Sequence, residues 1–125
     1  MSGHNLKHST LVFERTCAAS VQRVFAAFAN PKERAKWGAP SEKTAFIYDQ
    51  VDFRVGGVDV FRCGDKNDPQ YSGLTTYLDI VPEERIISSE VVETQGRKLL
   101  ISMSTTTLQP EGTGTRVVVT VHSPH

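Results

Sequence analysis

Asp59 is one candidate for chemistry in this sequence. It stands two positions after the pair Gly56-Gly57 and shares strand parity with Phe61 and Cys63. Turned inward, such a carboxyl could hold a ligand hydroxyl or amine, or act as a general acid or base. A glycine pair in a strand suggests a bulge, which leaves the facing of the next residues open. An outward surface charge is the plainer expectation. Tyr77 is the second polar candidate, and a buried tyrosine needs a partner for its hydroxyl. Were the chain an enzyme, Asp59 with Tyr77 would be its working groups; core packing with the hydroxyl at the rim is the simpler role for Tyr77. Asp52 and Arg54 alternate on one face, with Phe53 and Val55 opposite, and read as a solvent-facing ion pair. Trp37 reads as a hydrophobic plug at the end of a helix, and Met103 as a core residue first.

Other chemistry is missing from the sequence. Gly112-Thr113-Gly114 lies between two strand patterns and reads as a hairpin turn, not as a phosphate-binding loop. No HExxH, GxSxG, EF-hand or zinc-type Cys/His spacing occurs. His4 and His8 are four apart in a polar segment with no helical pattern, and His122 and His125 bracket the other terminus. Tail residues are the simpler reading of both pairs, so no metal and no cofactor are expected. Cys17 and Cys63 form neither a CxxC motif nor a disulfide framework, and read as small thiols in a reducing compartment.

These residues are positioned by a recognisable run of elements. His8 to Arg15 alternates as a first strand. Ser20 is an N-cap, and Val21, Val24, Phe25 and Phe28 form one helical stripe. Asn30-Pro31-Lys32-Glu33 restarts helix, with Asn30 as cap, Pro31 at the first helical position and Glu33 where a capping-box acid belongs. That second helix ends near Trp37-Gly38. Strand patterns then cover Thr44 to Asp49, Asp52 through the glycine pair to Cys63, Tyr71 to Ile80, Ile86 to Glu93, Leu99 to Leu108 and Arg116 to His122. The order is strand, two helices and a run of strands in hairpin succession, an α+β antiparallel meander.

At 125 residues the chain is one domain, residues 1–125, and 38% apolar content suits a globular protein. Fourteen basic and fourteen acidic residues balance, so no net field would attract nucleic acid or an anionic membrane. The longest apolar run falls far short of the ~20 residues a membrane helix needs. Met1 to Thr10 lacks a signal-peptide core, and cytoplasm is the expected location.

Several pieces match a known family in order and spacing: Phe13-Glu14-Arg15, Val24-Phe25-Ala26-Ala27-Phe28, Asn30-Pro31, Lys36-Trp37, Asp52-Phe53-Arg54-Val55-Gly56-Gly57, the run from Tyr77 to Ile87, and Gly114-Thr115-Arg116. Each is weak alone, and together they are specific. The chain resembles the START-like, helix-grip (SRPBCC) superfamily, in the branch similar to the C-terminal domain of the activator of the heat-shock protein 90 ATPase. The resemblance implies a curved antiparallel sheet of about six to seven strands, two short helices after strand one, and an internal cavity against a long C-terminal helix. Members usually continue far enough to supply that helix, whereas this sequence stops at Val121-His122-Ser123-Pro124-His125. A helix of that kind could bury several large side chains at ~1.5–3 kcal/mol each. Either the protein is truncated relative to the family or the sequence continues; if it ends here, the expectation is an open sheet face, covered most simply by a second copy of the chain.

What the resemblance implies for function is a non-enzymatic module that holds a hydrophobic or amphipathic small molecule, with Trp37, Phe53, Asp59, Phe61, Tyr77 and Met103 as cavity candidates. A chaperone-cofactor-like interaction module is the alternative, and a small-molecule cyclase or hydrolase a further one. Fold alone does not choose among them.

Overall fold

The computed structural model describes residues 8–38 and 41–124, the side chains of residues 8, 37 and 38 excepted. Strand β1 (His8–Cys17) is followed by helices α1 (Val21–Ala29) and α2 (Pro31–Gly38). Six further strands then run in sequence: β2 (Thr44–Gln50), β3 (Val58–Asp65), β4 (Asp68–Val81), β5 (Arg85–Thr94), β6 (Arg97–Glu111) and β7 (Gly114–Pro124). All pairings are antiparallel, in a curved, unclosed sheet of order β1-β7-β6-β5-β4-β3-β2. Only the contact of β1 with β7 is non-local, from His8↔Pro124 to Cys17↔Thr115. The remaining strands are joined by hairpins, as alternating patterns separated by short polar turns require.

Both helix starts follow local chemistry. Ser20 Oγ accepts the Arg23 amide at 3.3 Å, and Asn30 Oδ1 accepts the Lys32 amide at 2.9 Å. Glu33 does not close a capping box. Its carboxylate pairs with Lys36, one turn on, while the Asn30 amide donates to the Ala27 carbonyl.

Asp52 to Val55 is not a strand. Arg54 N–H donates to the Asp52 carbonyl at 3.0 Å and Gly57 N–H to the Arg54 carbonyl at 2.7 Å, which closes a tight turn. Gly56 sits at φ +82°, and a Cβ on Gly57 would collide with the Asp52 carbonyl. The glycine pair is thus an approach to β3, required by backbone crowding.

The core lies on one sheet face, where α1 packs Val24 against Leu108 and Val117. Thr115, fully buried, donates its hydroxyl to the Ala19 carbonyl at 2.8 Å and ties β7 to the β1–α1 link. Helix α2 packs against β2, nearer the other edge of the sheet. The two helices therefore stand over one face of the sheet, and the buried side chains of β3 to β7 point toward them.

Candidate functional site

The Gly56-Gly57 turn builds the site. Gly56 N–H donates to the Tyr77 carbonyl at 2.8 Å, and Tyr77 N–H donates to the Gly57 carbonyl at 3.0 Å. This clasp fixes the backbone of β4 at Tyr77 and holds the amide of Asp52 over the start of β3. Asp59 follows two residues later with its side chain inward, 1% exposed, against the outward charge that was the plainer expectation. Its Oδ1 accepts the Asp52 amide at 3.0 Å, and its Oδ2 accepts the Tyr77 hydroxyl at 2.5 Å and Arg34 Nη2 at 2.9 Å.

Arg34 reaches this carboxylate from α2. Its Nε donates to the Tyr48 hydroxyl at 3.1 Å, and its Nη1 to the Phe28 carbonyl at 2.7 Å. The guanidinium lies over the Tyr48 ring at 5.0 Å and the Phe53 ring at 5.7 Å, within range of a cation–π contact. Phe53 meets Tyr77 edge-on at 4.9 Å, and Phe61 stacks on Phe46 at 4.7 Å. One ion pair is thus enclosed by aromatic rings, with its carboxylate satisfied by three donors, as a buried charge requires.

The protonation chemistry follows from burial. Burial first, then the hydrogen bond to Asp59, pushes the Tyr77 phenol far above its usual range, so it acts as a donor at physiological pH. Burial also raises the Tyr48 phenol, opposed by Arg34. For Arg34 burial acts against the charge, but its bond to Tyr48 and the field of Tyr77, Tyr48 and Asp59 outweigh it. Glu90, on β5, is the other inward acid. Burial alone raises its pKa.

Two hollows lie under the sheet. The smaller, about 190 Å³, is lined by Arg34, Tyr48, Phe53, Asp59, Tyr77 and Glu90 among others. The larger, about 750 Å³, runs along α1 and β1 and is lined mainly by apolar atoms of Phe13, Cys17, Val24, Phe28, Val117 and Val119. Phe28 borders both, so they adjoin. The larger one holds more space and the smaller one holds the polar chemistry.

Four of the sequence candidates, Phe53, Asp59, Phe61 and Tyr77, come together in the smaller chamber. Met103 does not join them. It alternates with the buried Ser102 on β6 and is 42% exposed on the opposite face of the sheet. The side chain of Trp37 lies outside the described residues. Arg54 Nε does pair with Asp52 Oδ2 at 2.9 Å, on the exposed side of the turn. Cys17 and Cys63 are free thiols. His4, His125 and the His8 side chain fall outside the described residues, while His122 lies 3.2 Å from the Thr10 hydroxyl. Among the described residues no set of His, Cys, Asp or Glu is arranged to hold a metal ion.

Sequence reasoning missed Arg34, Tyr48 and Glu90. Tyr48 shares parity with Phe46, and Glu90 shares parity with the buried Ile86, which were usable signals. Nothing in the short polar helix singled out Arg34 from its charged neighbours.

The comparisons agree with this architecture. The Mll3558 protein of Rhizobium loti has a solved structure that superposes with a TM-score of 0.81 at 34% identity, over 97% of this chain and 82% of that one. Protein CV1439 of Chromobacterium violaceum gives 0.80 at 27% identity, over 91% and 78%. A protein of Rhizobium leguminosarum gives 0.79 at 28% identity, over 97% and 81%. No curated protein matches the sequence. Residues 18–124 match the family described as activator of Hsp90 ATPase homolog 1-like protein, and the chain belongs to that family.

Proposed function

We propose that this protein binds a hydrophobic or amphipathic small molecule under its curved sheet, in the cytoplasm, without acting on it chemically. The observation that carries this reading is the junction of an apolar trough of about 750 Å³ with a chamber that holds a satisfied ion pair. Such a junction suits a ligand with an apolar body and one polar end. Phe13 is 56% exposed on the trough wall, an apolar surface that a ligand would remove from water. The Asp59–Tyr77 pair is already bonded to itself, with the phenol held as a donor, which favours a positioning role over turnover. A second copy of the chain is the simplest macromolecular cover for the same face.

Native mass spectrometry of the protein purified from its own cells tests this. The expected result is an added mass of a few hundred daltons (roughly one drug-sized ligand) that denaturation releases, and the same spectrum reports monomer or dimer. Protein free of any such mass, which then fails to take up alkyl ligands added in solution, would overturn the reading.

One observation favours an interaction module as the second reading. Leu74, Val91 and Ile101 are cross-strand neighbours on the opposite face, where Leu74 is 42% and Ile101 47% exposed. A partner bound there would survive blocking of the chamber, whereas a ligand under the sheet would not.

A further inference from the structure

The polar end of the proposed ligand can be assigned from the charges that face the small chamber. One basic and two acidic side chains line it: Arg34, Asp59 and Glu90. Arg34 and Asp59 are joined at 2.9 Å and cancel. Glu90 has no hydrogen-bond or ion-pair partner among the described residues. It stands opposite Thr75 on β4 and Ser102 on β6, two short hydroxyl side chains without charge. The titratable groups whose fields reach it or that share its chamber are Tyr48, Cys63, Tyr77, Arg34 and Asp59. None but Arg34 is a cation, and Arg34 is already matched. The chamber thus carries one uncompensated acid beside the aromatic rings of Phe46, Tyr48, Phe53 and Phe61.

We infer that the chamber recognises an ammonium group, so that the ligand is an amphipathic amine with its cation at Glu90 and its apolar body in the trough. This deepens the binding reading above and rests on it. An unpaired carboxylate in a partly desolvated chamber gains a charge-assisted hydrogen bond when an ammonium arrives, and aromatic faces add cation–π attraction. A ligand carboxylate would meet like charge in the chamber, where no free cation receives it, Arg15 and Arg23 lying along the trough instead. Fatty acids are therefore disfavoured at this site and long-chain amines favoured. Burial raises the pKa of Glu90 and so favours its neutral form in the empty chamber, a cost that a bound cation offsets.

Isothermal titration with decylamine, decanol and decanoate at pH 8, below their micelle concentrations, tests the assignment. Decylamine should bind about tenfold more tightly than decanol or better, a gap of about 1.4 kcal/mol, and decanoate most weakly. Glu90→Gln should bring the decylamine-to-decanol affinity ratio close to one. Equal binding of decylamine and decanol to the wild type, or a preference for the amine that survives Glu90→Gln, would overturn the inference while leaving the binding reading standing. Failure of all three to bind would overturn both. If Glu90→Gln does not fold, the wild-type ranking still decides, supported by decylamine affinity that should fall as pH drops and Glu90 takes up its proton.

Discussion

Replacing Asp59 by Ala should be among the most damaging single changes in the protein, and its size can be worked from the site. Asp59 is 1% exposed and accepts from Arg34, Tyr77 and the Asp52 amide. Removing it strands a guanidinium whose side chain is 12% exposed, a buried phenol and a backbone N–H. Breaking a buried pair by deleting one partner costs about 3–5 kcal/mol. The residual exposure of Arg34 lets water reach the cation, which places the expected loss at the lower end. That is still a large share of the ~5–15 kcal/mol that holds a domain together. Tyr77→Phe keeps the ring against Phe53 and removes one hydrogen bond to a charged group, worth about 1.5–3 kcal/mol. Urea unfolding followed by far-UV circular dichroism gives both numbers. The two losses must not add: in the Asp59→Ala background Tyr77→Phe should cost almost nothing, because the phenol has already lost its acceptor. A loss below about 1 kcal/mol for Asp59→Ala, or additive losses in the double variant, would refute a desolvated, three-donor carboxylate.

Further outcomes follow from other parts of the structure. Glu90 titrates higher in the folded chain than when unfolded, so it costs stability as pH rises from the unfolded value of 4.5 through its raised value. Glu90→Gln should therefore raise the melting temperature at pH 8 and leave it nearly unchanged at pH 4, by calorimetry at both pH values. Gly73→Ala would drive a Cβ into the ring of Phe61, which is 2% exposed and stacked on Phe46. It should cost at least the ~1–3 kcal/mol of overpacking, and Phe61→Leu should recover part of that in the double variant. The Cys63 thiol is raised mainly by burial, so it should react with a thiol reagent at pH 8 more slowly than a free cysteine, and speed up on unfolding in urea.

The meander, both helices and their caps were legible because they rest on local signals: strand alternation, the stripe from Val21 to Phe28, and Asn30-Pro31. The residue types of Asp52 to Val55 suit a strand, but carbonyl crowding at Gly57 and the positive φ of Gly56 fold it into a turn. The facing of Asp59 was not legible, since that turn decides it and its bonds run to Tyr77, far along the chain. Met103 illustrates the reverse error. The inward parity of β6 is set by Ser102, Thr106 and Leu108, all buried, which puts Met103 on the outer face. Arg34 enters the site only because α2 docks on β2, a tertiary event that no pattern within the eight residues of that helix could encode.

The most direct test of ligand binding under the sheet is a set of nuclear Overhauser contacts between bound decanol and the protein. The account predicts contacts from the alkyl chain to Val24, Phe28 and Val117 of the trough, and from the hydroxyl end to Phe53 and Tyr77. Contacts confined to Leu74, Ile101 and Met103 on the other face, or no contacts at saturating decanol, would contradict it.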